Sequence, residues 1–120
     1  MIKQYDIVRV KEGSHKNYKI NKIDKDLKKT YNDLIKNIKS IEGKKFIVSD
    51  IIKDSKLKRN LYNLQSNEDI EFGGYNITLQ GNDLEVLYTN YFNNCCVINT
   101  PLSKIKCDIC GLDVENLLSN

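Results

Sequence analysis

Cations are missing from this chain in a telling way. Arginine occurs twice, at Arg9 and Arg59, and neither lysine nor arginine stands anywhere from Asn60 to Ser103. Tryptophan is absent, and proline and histidine occur once each. Each shortage excludes something. Arginine grips guanine edges and phosphates bidentately, so its scarcity argues against sequence-specific DNA readout. His15 is a lone imidazole among Ser14, Lys16 and Asn17, read as a surface residue, with neither a GxSxG elbow nor a Cys-His pairing beside it. Gly43-Lys44-Lys45 lacks the upstream glycine and the following Ser or Thr of a phosphate-binding loop. Glu68, Asp69 and Glu71 have no apolar neighbourhood that would tune them as an acid and a base. We therefore expect no enzyme. Long apolar runs are missing too. The longest, such as Phe46-Ile47-Val48 and Cys95-Cys96-Val97-Ile98, fall far short of the ~20 residues that cross a bilayer. The opening MIKQYDIV carries no apolar leader stretch, so the expectation is a bacterial cytosolic protein with cysteines reduced or metal-bound.

What is present fits one domain over residues 1–120. With 40% apolar and 29% charged residues, a chain of 120 can bury about two-thirds of its unfolded surface. Lysine (17), asparagine (15) and isoleucine (15) dominate, all with A/T-rich codons, which points to an A/T-rich bacterium of clostridial type or its phage. The net charge of +3 hides a division: residues 1–60 hold 17 cations against 8 acids, residues 61–120 hold 2 against 8. Such an asymmetry suggests charged partners, unless the two halves neutralise one another in the fold.

Tyr5 to Lys11 alternates and is rich in β-branched residues, which predicts a strand closed by Glu12-Gly13-Ser14. Leu27, Tyr31, Leu34, Ile35, Ile38 and Ile41 form an apolar stripe at helical spacing, so a helix is expected over about 24–41. Asn21 or Asp24 would cap its start, and Gly43 would supply the left-handed residue beyond its end. Lys44 to Ile52 reads as the second strand, with Lys53 to Lys56 as the turn after it. Shorter β-like runs follow at Leu61–Gln65, Ile70–Phe72, Tyr75–Gln80 and Leu84–Tyr88. Gly73-Gly74 and Gly81-Asn82-Asp83 are read as hairpin turns between them. Residues 89–120 are expected to add a hairpin through Asn93-Asn94 into Cys95–Ile98, a last strand at Ile105–Ile109, and a short helix packing Val114, Leu117 and Leu118.

The order YDIVRVK, GKKFIVSDII, LYNLQ, then IEFGGYNITL closing on DLEVLY, across residues 4–88, resembles a small SH3-like, partly open barrel with one amphipathic helix inserted between the first two strands. The fold class is α+β, the alternative being a helix laid on one face of a small antiparallel sheet. The resemblance implies a binding scaffold, since such barrels host unrelated functions. In kind the chain resembles the small inhibitors that phages and mobile elements direct against host defence, including anti-CRISPR proteins.

Three sets of residues are candidates for function. Cys107-Asp108-Ile109-Cys110-Gly111 has the form of a zinc knuckle, and Cys95 and Cys96 would complete a four-thiolate site. Against zinc, Cys95 and Cys96 are adjacent, and Ile105, Cys107 and Ile109 alternate like one strand face. Core thiols without a cofactor are thus the expectation and structural zinc the competitor. Lys25, Lys28, Lys29, Lys36 and Lys39 make a cationic helix face suited to nucleic-acid phosphates, the alternative function. The leading expectation is a non-enzymatic inhibitor that presents Glu68, Asp69, Glu71, Asp83 and Glu85 to a basic surface of a host protein. Tyr75, Tyr88 and Tyr91 would serve as its aromatic anchors.

Overall fold

The computed structural model describes residues 2–18, 25–56, 58–66, 77–89, 95–97 and 102–119, and for residues 25–31 the backbone alone. The chain runs β1 (Ile7–Val10), α1 (Lys25–Ile41), β2 (Lys45–Asp54), β3 (Arg59–Gln65), β4 (Ile77–Gln80), β5 (Leu84–Tyr88) and α2 (Val114–Leu118). The five strands form one antiparallel sheet in the order β4-β3-β2-β1-β5. With its helix between the first two strands, the class is α+β as expected.

Alternation along the central strands divides the interior in two. Because successive side chains of a strand point to opposite faces, Val8, Val10, Phe46 and Val48 enter one apolar cluster while Ile7 and Ile47 enter another. The first cluster is covered by Ile38 and Ile41 of α1, with Leu34 against it, and by Tyr62, Leu64, Ile77, Leu79 and Leu84. The second is covered by the C-terminal segment, through Leu102, Ile105, Val114 and Leu118. All six strand residues are fully buried, each worth about 1.5–3 kcal/mol of apolar transfer.

The faces exchange at Ser49. The β2–β3 register shifts between Val48 and Asp50, an extra residue opposite β3. Ser49 Oγ donates to the Asn63 carbonyl at 3.1 Å, and Gln4 Nε2 donates to the Ser49 carbonyl at 2.9 Å, which holds the bulge. Beyond it Ile51 packs on the first cluster, and Ile52, which unbroken alternation would bury there, is 44% exposed.

Helix α1 ends where the sequence says it should. Gly43 takes φ 81 and donates its N–H to the Val10 carbonyl at 2.7 Å, so the chain re-enters the sheet beside β1. The Gly81-Asn82-Asp83 reading needs correction: it is a 3-10 turn, not a hairpin. It carries the chain from one edge strand, β4, to the other, β5, so the sheet must roll until its edges approach. A tight hairpin turn wants positive φ at its glycine, and Gly81 lacks it; a Cβ there would lie 3.3 Å from Tyr62 Cε2, so close packing explains the glycine. At Ile105–Ile109 there is no strand, only an isolated bridge between Lys106 and Asp113. Residues 95–97 are likewise turn and coil. The short C-terminal helix is as expected, capped by Asp113 Oδ1 accepting from Asn116 N at 3.1 Å. The Ile70–Phe72 run, the Gly73-Gly74 and Asn93-Asn94 turns and the Asn21 or Asp24 cap lie outside the described residues. No helix among the described residues is long and apolar enough to cross a membrane.

Candidate metal centre

Between Ile105 and Val114 the chain doubles back on itself. Ile105 accepts from Val114 N at 3.0 Å, Cys107 N donates to the Leu112 carbonyl at 2.7 Å, and Gly111 N donates to the Cys107 carbonyl at 2.9 Å. Closing so tight a loop needs a left-handed residue, and Gly111 supplies it at φ 78. The loop leaves Cys107 and Cys110 side by side, with the backbone N–H groups of Cys110 and Ile109 turned to Cys107 Sγ. Ile109 stands outward, 81% exposed, so Cys107 does not share a strand face with it.

The segment 95–97 brings the other pair. All four sulfur atoms of Cys95, Cys96, Cys107 and Cys110 lie within 4.8 Å of one another. Adjacency is no obstacle, because the vicinal cysteines face different partners: Cys95 Sγ lies 3.6 Å from Cys107 Sγ, and Cys96 Sγ 3.5 Å from Cys110 Sγ. Among the described residues only Tyr5 and Lys58 are non-glycines with positive φ, so the pair reaches this arrangement without left-handed strain. No disulfide joins any of the four. Tetrahedral zinc with Zn–S near 2.3 Å sets sulfurs about 3.8 Å apart, close to both of these separations. The donated backbone N–H of Cys110 works against burial, helped by that of Ile109, and brings the Cys107 thiol down to about 7. Its hydrogen bond with Cys107, then burial, pushes Cys95 up to about 12. Cys107 is therefore the natural thiolate of the cluster, and around a tetrahedral ion four sulfur donors would leave no open coordination position, as in structural rather than catalytic sites.

The acidic residues are placed differently from expectation. Asp83 is fully buried and belongs to no surface. Its Oδ1 accepts from Asn17 Nδ2 at 2.6 Å and its Oδ2 from the Tyr18 hydroxyl at 2.7 Å, while its carbonyl accepts from Lys11 N at 2.8 Å. Burial first, then this bond to a carboxylate, push the Tyr18 phenol above its ordinary range. A Gly-Asn-Asp run resembles an exposed turn in one dimension, and what draws Asp83 inward is a pair of donors 65 and 66 positions away. Glu85 and Tyr88 are exposed on edge strand β5. Glu68, Asp69, Glu71, Tyr75 and Tyr91 lie outside the described residues. On α1, Lys36 and Lys39 are exposed; the side chains of Lys25, Lys28 and Lys29 lie outside the description.

His15 is not a plain surface residue. Its ring Nδ1 meets Glu42 Oε1 at 2.5 Å, its backbone N–H donates to the same oxygen at 3.0 Å, and Gly13 N donates to Oε2 at 3.1 Å. Burial works to raise the Glu42 carboxyl, but the donors from His15 and Gly13 outweigh it and hold the group below its ordinary value. Glu42 thus latches the turn after β1 to the end of α1. Two further features escape a one-dimensional reading. One is this latch, and the other is the projection of Lys53, Lys56, Lys58 and Arg59 past the flanking strands at the β2–β3 connection, which in sequence reads as an ordinary turn. Compared with known proteins, the chain matches no family model, no curated protein and no solved structure.

Proposed function

We propose that this protein is a non-catalytic binding module in which an SH3-like sheet is fastened to its C-terminal cover by a structural zinc ion held by Cys95, Cys96, Cys107 and Cys110. The observation that carries the reading is the convergence of four cysteine sulfurs, none in a disulfide, within 4.8 Å. An SH3-like layout is supported by the strand order, in which a short 3-10 turn hands the chain from one edge strand to the opposite one. The metal would pin residues 95–96 to the knuckle, whose flanks Leu102, Ile105 and Val114 close the cluster around Ile7 and Ile47. The lone histidine gives Nδ1 to Glu42, and a closed sulfur shell activates no water, so binding rather than turnover is the function such a scaffold serves. The acidic-inhibitor reading keeps Glu85 and Tyr88 but loses Asp83 to the interior.

Because ligand thiolates must gather to bind the ion, metal-binding energy here is folding energy. Purified protein should carry close to one zinc per chain. Cobalt substitution should give the visible absorption of a tetrahedral thiolate site, and chelator should lower the melting temperature. Less than about a tenth of an equivalent of metal, with melting unchanged by chelator, would leave four core thiols and overturn the proposal.

A further inference from the structure

We propose that the β2–β3 hairpin is a two-stranded ribbon that enters the major groove of duplex DNA and grips its phosphates without reading sequence. The inference is independent of the zinc site, since it rests on other residues and another cluster. Its first support is the register of the sheet. β1 pairs with β2 only at Lys45–Ile47, and β4 pairs with β3 only at Leu61–Leu64. Past those positions Lys53 pairs with Asn60 and Asp54 with Arg59, and no third strand flanks them among the described residues. The hairpin end therefore runs past both flanking strands as a two-stranded ribbon, tethered at its base where Arg59 meets Gln80. Two strands about 5 Å apart with their side chains match a B-form major groove, roughly 12 Å wide, which is known to admit such a ribbon.

Charge supplies the second support. Between Lys53 and Arg59 the chain carries four cations and one carboxylate. Lys53, Lys56, Lys58 and Arg59 are all exposed, and Asp54 turns its Oδ1 to the Lys56 backbone N–H at 3.1 Å. At the base of the ribbon lies an open cleft of about 230 Å³, lined by Arg59, Asn60, Tyr62, Gln80, Gly81 and Asn82, a set that holds amides and a guanidinium but no acid. Arg59 Nη1 donates to Gln80 Oε1 at 2.7 Å, which holds the guanidinium at the rim. The ribbon is thus complementary to a polyanion.

The third support is local strain. Lys58 adopts φ 50, a left-handed conformation that glycine or asparagine takes with ease and lysine takes at a cost. A cation is kept at the turn where a neutral residue would be more comfortable.

The test is a titration of the full-length protein against a fluorescent, mixed-sequence DNA duplex over a range of salt. Four phosphate contacts at about −0.9 each give a log–log slope near −3.6, so affinity should fall about 150-fold between about 50 and 200 mM salt. Lys56→Gln/Lys58→Gln should make the slope shallower by about 1.8. Lys36→Gln/Lys39→Gln, on the helix, should leave it unchanged. Lys58→Gly keeps the proposal testable apart from folding: it should raise the melting temperature while making the slope shallower by about 0.9. An A-form RNA duplex, whose major groove is too narrow for side chains, should bind more weakly. The proposal is overturned by undetectable binding at low salt. It is equally overturned by loss through the helix variant instead of the hairpin variants, by RNA duplex or single strand binding as tightly as DNA duplex, or by polyglutamate competing as well as DNA.

Discussion

Replacing Asp83 by alanine separates the interior role found here from a role on the surface. The side chain has no exposure, and its two oxygens accept from Asn17 Nδ2 at 2.6 Å and the Tyr18 hydroxyl at 2.7 Å. Hydrogen bonds to a charged partner contribute about 1.5–3 kcal/mol each, from which the desolvation of the carboxylate must be subtracted. Truncation also strips the half-buried Tyr18 hydroxyl of its acceptor, at about 1–3 kcal/mol, while the exposed Asn17 amide turns to water. The expected net loss is about 3 kcal/mol, a large part of a typical 5–15 kcal/mol of stability. Asp83→Asn should cost about 1 kcal/mol, because an amide oxygen still accepts from Asn17 and the Tyr18 hydroxyl can turn to accept from the new amide. The assay is urea unfolding, with the midpoint falling at constant slope. Adding Tyr18→Phe to Asp83→Ala should cost less than the sum of the two single changes by about 1–2 kcal/mol, since they share one bond. If Asp83→Ala stays within about 0.5 kcal/mol of wild type, as exposed positions do, then Asp83 is a surface residue. The roll of the sheet edge at residues 81–83 would then be wrong as well.

The Glu42 latch predicts an acid limb. Its carboxyl is held below the ordinary 4.5, so the latch contributes fully above that pH and its contribution is lost as pH falls through the lower folded value. Glu42→Gln should flatten stability over that acid range and cost about 1–3 kcal/mol at neutral pH, read by urea midpoints at a series of pH values; an unchanged acid limb would show the latch to be idle. Gly43→Ala should cost about 1–2 kcal/mol from the left-handed backbone at φ 81, with a further crowding contact to Glu12 Oε1 2.8 Å from the new Cβ. A midpoint unchanged by that substitution would mean that the helix does not end as described.

Periodic features of this fold could be read in the sequence and compensated ones could not. The helix follows from Leu34, Ile38 and Ile41 at their spacing and from Gly43, all local signals. Ile7, Val8, Val10 and Phe46 to Val48 were legible as strand because β-branched and aromatic residues alternate there. Asp83 and His15 escape a local reading for one reason: both are polar residues in turn-like surroundings, and a partner 27 to 66 positions distant draws Asp83 inside and holds His15 half-buried. No local pattern announces such a pairing. The cysteines fall between these cases. The CxxCG run carried the knuckle in plain view, but Cys95-Cys96 looked unfit as ligands because adjacency was judged along the chain, whereas each sulfur meets a different member of the knuckle.

Ser49 shows most directly why the working surface had to come from the three-dimensional arrangement. Carried straight through β2, the alternation that sends Phe46 and Val48 to the first cluster would send Ile52 and Asp54 there too and leave Ile51 and Lys53 on the opposite face. One extra residue reverses this parity. Ile51 then seals the first cluster over Tyr62, and its neighbour Lys53, paired with Asn60, shares the face that carries Tyr62 and opens toward the amide-lined cleft. Asp54 moves to the other face, the one that Arg59 of β3 already occupies and where Arg59 meets Gln80. The bulge thus does two things at once. It keeps the apolar cluster closed up to Ile51, and it aims a cation on each face of the ribbon beyond. A groove lined by two phosphate strands needs cations on both faces of whatever enters it, and a regular β2 with this sequence would put Lys53 on the same face as Arg59.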